Sequence, residues 1–443
     1  MQTKKKLKQV DSIIHARWII PIESDNTVYE HHSLIIQQGK ILDLLPTEAC
    51  HKKYTSPIEH QCNNHALLPG FINSHTHAAM NLMRGLADDL PLMEWLSEHI
   101  WPTEAQHINY QFVKEGTELA VAEMLRSGTT TFNDMYFFPD ATAKVAEEAG
   151  IRAVIGLIVI DFPSAWAKDS DEYLHKGIQL YEQYQHHPLI STAFAPHAPY
   201  TVSDAPLEKI KTYSEKLDIP IHIHLHETQD EVEQAVSNNG QRPIARMEKL
   251  GLLSPLMIAV HATQLQDEEI DLLKQYGVNI VHCPESNMKL ASGFCPVSQL
   301  KSKKVNVALG TDGAASNNDL DMLGEMRTAA FIAKGINQDA STLPAYDILK
   351  MATINGAKAL GLEAITGSLS IGKAADVIAI DLNHLETQPV YNPISQIVYA
   401  ANRDQITDVW VQGKHLLNKR QLTTLDSEKI IKNAQIWRDK IKK

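Results

Sequence analysis

Ala66-Leu67-Leu68-Pro69-Gly70-Phe71-Ile72-Asn73-Ser74-His75-Thr76-His77 carries an apolar run into two histidines set one residue apart. Side chains on a strand alternate between its faces, so His75 and His77 point the same way and can reach one metal ion. Alone the pair is weak evidence, because a chain with 21 histidines in 443 residues makes such spacings by chance. Recurrence strengthens it. His197, His224, His261 and Asp312 each stand at or near the end of another strand-like apolar run, with helical sequence between the runs. Polar groups recurring at strand ends predict one metal site at one end of a barrel.

Outward from that stretch, strand and helix patterns alternate. Strands are expected at 67–73, 129–134, 152–159, 190–197, 220–225, 257–261, 279–282 and 306–312. Several are continuously apolar, as when helices cover a parallel sheet. Helical patterns such as 113–126, 141–149, 207–217 and 268–276 lie between them. Eight such repeats over roughly 250 residues predict an α/β fold with a (β/α)8 TIM-type barrel, here residues 67–364. Residues 1–66 and 365–443 alternate short β runs with turns, among them Gly372-Lys373-Ala374-Ala375-Asp376 and a hairpin near Val409–His415. The two ends are expected to form one small β-sandwich beside the barrel.

Composition narrows the function. A formal net charge of −12 gives no support to nucleic-acid or anionic-membrane binding. The only basic run, Lys4-Lys5-Lys6 with Lys8, reads as a solvated tail. Asp11, His15 and Arg17 interrupt the apolar stretch after it, so no signal peptide is expected. No segment reaches the roughly 18 apolar residues of a membrane span. Cys50, Cys62, Cys283 and Cys295 show no CxxC spacing, which suits a reducing cytoplasm.

Three imidazoles and a carboxylate (His75, His77, His224, Asp312) suit Zn²⁺ with an open position for water; iron and manganese accept similar donors. His222, His224 and His226 alternate on one face, and only His224 has a carboxylate three residues on, at Glu227. His224 is therefore the expected ligand and Glu227 the proton carrier, with His222 deeper in the barrel and His226 higher in the loop. Asp312, in Gly310-Thr311-Asp312-Gly313, is expected to be both ligand and proton acceptor. His261 would stabilise the charge formed on attack. The set predicts metal-assisted hydrolysis: water of lowered pKa attacks an electron-poor carbon while Glu227 protonates an adjacent ring nitrogen.

The motifs just quoted, with Val260-His261-Ala262 and Gly372–Asp376, resemble the amidohydrolase superfamily over nearly the full chain. Within it the chain is similar to the 5-methylthioadenosine/S-adenosylhomocysteine deaminases. That likeness rests on Leu82–Asp89, Trp95-Leu96, Trp101-Pro102-Thr103-Glu104, Ala195–Tyr200 and His282–Asn287. The resemblance implies a single metal per subunit, a homo-oligomer and no lysine bridging two metals, since His197 ends the fourth strand. It also implies that His197 contacts substrate and that Glu104 binds a ribose diol, one carboxylate accepting from two hydroxyls. Thr103-Glu104 reads equally as a helix start. Trp95 could lie on the nucleoside or anchor an amphipathic helix.

One departure bears on substrate. Relatives that accept S-adenosylhomocysteine can hold its carboxylate with arginines after the third strand, yet Ala153 to Gln241 contains none. Lys168 and Lys176 do not reproduce the bidentate fork. The expected reaction is hydrolytic deamination at C6 of an adenine nucleoside, 5′-methylthioadenosine before adenosine or S-adenosylhomocysteine. The alternative is an aminohydrolase or chlorohydrolase acting on guanine, a pterin or an s-triazine. The zinc cytidine-deaminase pair, His-x-Glu together with Pro-Cys-x-x-Cys, is absent from the sequence.

Overall fold

A computed structural model describes residues 7–23 and 25–442, so the Lys4–Lys6 run lies outside the described residues. Its centre is eight parallel strands: β1 (Phe71–Thr76), β2 (Thr129–Met135), β3 (Arg152–Val159), β4 (Ile190–Pro196), β5 (Ile221–Leu225), β6 (Met257–His261), β7 (Asn279–His282) and β8 (Asn306–Leu309). Each pairs with the next in chain order. Every residue of β3 is buried, because helices cover the outer face and other strands' side chains fill the inner one. The helix Tyr110–Arg126 shows why the covering elements form where they do. Asn109 caps it by accepting from Phe112 N at 3.0 Å, and Phe112, Val113, Ala120, Val121 and Met124 make its buried stripe.

The seam between β8 and β1 is closed largely by side chains. Asn73 Oδ1 accepts from Thr311 N at 3.0 Å and Asn73 Nδ2 donates to Thr311 Oγ1 at 2.7 Å. Beside them Asp312 N donates to His75 O at 3.0 Å. Gly310 is needed at this crossing, since a Cβ there would sit 2.8 Å from His75 N. Closing the barrel and joining His75 to Asp312 are thus one event. The strand expected as far as Asp312 ends at Leu309, and Asp312 takes a left-handed φ of 64° as the chain turns across the barrel mouth.

The first expected strand, 67–73, divides at Gly70. Leu67–Pro69 completes the strand Glu59–Pro69 of the end sheet, and the barrel strand starts at Phe71. A Cβ at Gly70 would lie 2.1 Å from Thr130 Oγ1, so only glycine lets the chain pass this close to β2 while changing sheets. The two chain ends form one continuous eight-stranded sheet in the order Gln421–Leu422, Lys414–Asn418, Ile406–Val411, Val377–Asp381, Glu59–Pro69, Ser12–Ile19, Tyr29–Gln37, Lys40–Pro46. It curls until Ala375 N donates to Gly39 O and Ile41 N to Lys373 O, both at 2.9 Å. Its sandwich character comes from this folding over, with Ile14, Leu34, Ile36, Leu67, Val377 and Trp410 in a shared core.

Two features tie this sheet to the barrel. Arg152, at the start of β3, donates from Nε to Asp376 Oδ2 at 3.0 Å, and both residues are buried. The last helix, Ser427–Ile441, leaves the sheet altogether: Trp437 meets Phe112 edge-on at 5.1 Å between ring centroids and donates to Glu115. No helix among the described residues is long and apolar enough to cross a membrane.

Candidate active site

His75 is the penultimate residue of β1, His77 follows one residue past its end, and their ring centroids lie 4.8 Å apart. His224 comes from β5 and Asp312 from the turn after β8. One donor atom from each of the four falls within 4.8 Å of the others. His224 Nε2 is 3.2 Å from both His75 Nε2 and His77 Nε2, and Asp312 Oδ1 is 3.2 Å from the same two nitrogens. Ligands on a tetrahedral ion at about 2.0–2.1 Å stand roughly 3.3–3.4 Å from one another, so this set fits zinc.

The opposite edges of these rings are held. His77 Nδ1 lies 2.6 Å from Met135 O, His224 Nδ1 2.6 Å from His197 O, and His75 Nδ1 2.8 Å from His222 Nε2. Such partners orient a metal-binding imidazole. Asp312 Oδ2 accepts from Ser286 Oγ at 2.6 Å and Ser316 Oγ at 2.7 Å, which turns Oδ1 toward the histidines. Burial alone would raise the Asp312 pKa, but His75 and His77 hold it well below the usual carboxylate range. His222 is buried beneath His75, whereas His226 turns away, with Nδ1 on Gln264 O and Nε2 accepting from Ile244 N.

Glu227 and His261 stand beside the four donors, with His261 Nε2 3.9 Å from Glu227 Oε2. His261 Nδ1 faces the Asn287 carboxamide at 2.8 Å, leaving Nε2 to the cavity. Burial raises the Glu227 pKa, opposed by nearby His261. The Glu227 backbone is fixed by Glu231, whose carboxyl accepts from His226 N at 3.0 Å and Glu227 N at 2.7 Å. Burial pushes Glu231 up to about 8 against those hydrogen bonds.

A cavity of about 440 Å³ opens above this group. Of the nine residues picked out by sequence, all but His75 line it, and His75 lies fully buried under its floor. Glu104 stands in the wall on the short helix Trp101–His107 and accepts from Tyr136 Oη at 2.7 Å. Burial pushes its carboxyl up to about 7, tempered by the tyrosine and His77. His197 sits outside the donor set with Nδ1 3.0 Å from Thr201 Oγ1, and burial followed by the charges of His77 and His75 holds it down to about 3. Trp95 lines the cavity and packs in the apolar cluster that includes Leu92, Leu96 and Phe112. Among the described residues no lysine or arginine lines the cavity; Phe162, Pro163 and Ser164 stand where the chain leaves the third strand.

Tyr136, Glu231, Ser286, Asn287 and Ser316 were given no role by sequence reasoning. Ser286 and Asn287 lie within the quoted His282–Asn287 motif, and Thr228-Gln229-Asp230-Glu231 is a capping signature. Those two signals were readable. Tyr136 carried no local signal beyond following a strand.

A protein named 5-methylthioadenosine/S-adenosylhomocysteine deaminase from Teredinibacter turnerae is 50% identical over 432 residues, 98% of each chain. One of the same name from Thermodesulfovibrio yellowstonii is 45% identical, covering 97% of this chain and 98% of its own. A crystal structure of an adenosine deaminase from Xanthomonas campestris with bound zinc superposes at a TM-score of 0.98, with 49% identity over 99% of this chain and all of the other. An atrazine chlorohydrolase from Arthrobacter aurescens shares the fold at a TM-score of 0.90 and 22% identity, over 96% of this chain and 99% of its own. Residues 66–416 match the family model for the amidohydrolase family, and with that match, the relatives and the histidine–aspartate cluster in agreement, the chain belongs to that family.

Proposed function

We propose that this protein is a zinc-dependent aminohydrolase that deaminates adenine nucleosides at C6, releasing ammonia and the hypoxanthine nucleoside, with 5′-methylthioadenosine preferred. The observation that carries the reading is one cavity lined by metal donors, Glu227 and Glu104, with no described lysine or arginine in its lining. Nucleoside-deaminating relatives at 45–50% identity support it.

His75, His77, His224 and Asp312 would hold a zinc ion, which when bound would lower the pKa of a water towards about 7. Asp312 takes a proton from the attacking water and passes it to the leaving amine. Glu227, whose pKa burial raises, donates to the ring nitrogen beside C6 as the carbon becomes tetrahedral and recovers a proton from the new hydroxyl as ammonia departs. His261 Nε2 faces the charge that develops on attack. His197 meets the base, Trp95 offers a flat apolar wall, and Glu104 accepts from the sugar hydroxyls. Ile158, Ile160 and Phe162 extend an apolar surface that suits a methylthio group better than a homocysteine zwitterion.

One zinc per subunit, a homo-oligomeric assembly and a cytoplasmic location belong to the same proposal; four buried, unpaired thiols support a reducing compartment. A spectrophotometric assay of the zinc-loaded protein tests the reaction, comparing methylthioadenosine, adenosine and S-adenosylhomocysteine, with guanine as outgroup. Methylthioadenosine should turn over fastest, chelation should abolish the rate and zinc should restore it. Failure of metal-replete protein to turn over any adenine nucleoside would overturn the reading. Equal rates for S-adenosylhomocysteine would overturn the 5′ preference alone.

A further inference from the structure

Glu104 is a long, rotatable side chain on a short helix above the barrel, yet the sugar end of the proposed site depends on where its carboxyl points. Among the described residues its only side-chain hydrogen-bond partner is Tyr136, whose hydroxyl donates to Oε1 at 2.7 Å. Tyr136 is buried to 4% exposure and follows β2 directly, so its ring is fixed by the barrel. The residue before it, Met135, offers the carbonyl that lies 2.6 Å from His77 Nδ1. Two consecutive residues at one strand end therefore hold a metal donor and the Glu104 carboxyl in the cavity wall.

We infer that Tyr136 is a positioning residue that sets the preference for ribonucleosides over deoxynucleosides, by tying up Glu104 Oε1 so that Oε2 is presented to the sugar hydroxyls. This rests on the proposed nucleoside deaminase reading. A site that orders a buried acceptor for a substrate hydroxyl discriminates against the analogue lacking it, because the acceptor is then left unpaired. Without its tether the carboxyl turns to other partners, and that penalty on the deoxy substrate is lost.

The test is the ratio of kcat/KM for adenosine to that for 2′-deoxyadenosine in zinc-loaded wild type, Tyr136→Phe, Glu104→Gln and the double variant. Tyr136→Phe should lower the ratio about tenfold, chiefly through the KM for adenosine, as loss of one charge-assisted hydrogen bond implies. In the Glu104→Gln background the tyrosine change should have no further effect on the ratio. An unchanged ratio in Tyr136→Phe, or an equal drop with and without Glu104, overturns the inference while leaving the deaminase reading intact. That reading fails separately, if neither nucleoside is turned over by wild type. Should Tyr136→Phe not fold, Glu104→Asp draws the carboxyl back from the tyrosine while keeping its charge. It must show the same drop, and a retained ratio there overturns the inference.

Discussion

Glu227 is placed by what surrounds its backbone. Glu231 takes the amides of His226 and Glu227, and Thr263 Oγ1 donates to Glu227 O at 2.7 Å, so the side chain projects beside the metal donors without belonging to them. Glu227→Gln should therefore lower kcat by about 10²–10⁴-fold while the protein keeps its zinc. Steady-state kinetics paired with elemental analysis checks this, and metal lost along with activity would show that Glu227 is a ligand. At this scale the sequence was legible where a residue's neighbours in the chain define its role. His75 and His77 share a strand face, and Glu227 follows His224 at a strand end. Tyr136 and Ser316 were not legible as site residues. Each acts through a hydroxyl whose partner, Glu104 or Asp312, is fixed only by tertiary contact.

The helix Gln229–Asn239 shows how one element supports the chemistry. Thr228 caps it by accepting from Glu231 N at 3.1 Å, and Glu231 reaches back over the cap to the two preceding amides. The Glu231 carboxyl titrates near about 8 in the folded chain and near about 4.3 when unfolded. Between those values the folded chain binds a proton that the unfolded chain has released. Its contribution to stability is therefore complete below the unfolded pKa and is lost as pH rises through about 8. Urea denaturation should show wild type losing stability relative to Glu231→Gln from pH 6 to 8, by up to about 1.4 kcal/mol per pH unit. A difference independent of pH would mean that Glu231 stays ionised. Among the strands, β3, β6 and β7 fall where their apolar runs predict, since a buried parallel strand is its own signal. The change of sheets at Gly70 had no such signal. Leu67–Asn73 is apolar throughout apart from its last residue, and only pairing with Val377–Asp381 shows where one sheet stops.

The molecule as a whole depends on contacts between its ends and its middle. Arg152 and Asp376 form a buried ion pair at the junction of barrel and end sheet, and Asp376 Oδ1 also accepts from Gln412 N at 2.7 Å. Asp376→Ala strands the guanidinium and should cost about 3–5 kcal/mol, read as a lower urea midpoint. A change under about 1 kcal/mol would mean that water reaches the junction. The (β/α)8 plan and the pairing of distant ends were legible in the sequence, whereas the docking of helix Ser427–Ile441 on the barrel was not, because its apolar stripe names no partner. The end sheet also bears on how the chain is made. Glu59–Pro69 has Ser12–Ile19 along one edge and Val377–Asp381, from beyond the whole barrel, along the other. A nascent chain leaving the ribosome carries that strand with one bare edge until the barrel has been translated. Translation is then the interval in which mispairing with a neighbouring chain is easiest, and chaperone demand should fall on the growing polypeptide rather than on the finished enzyme.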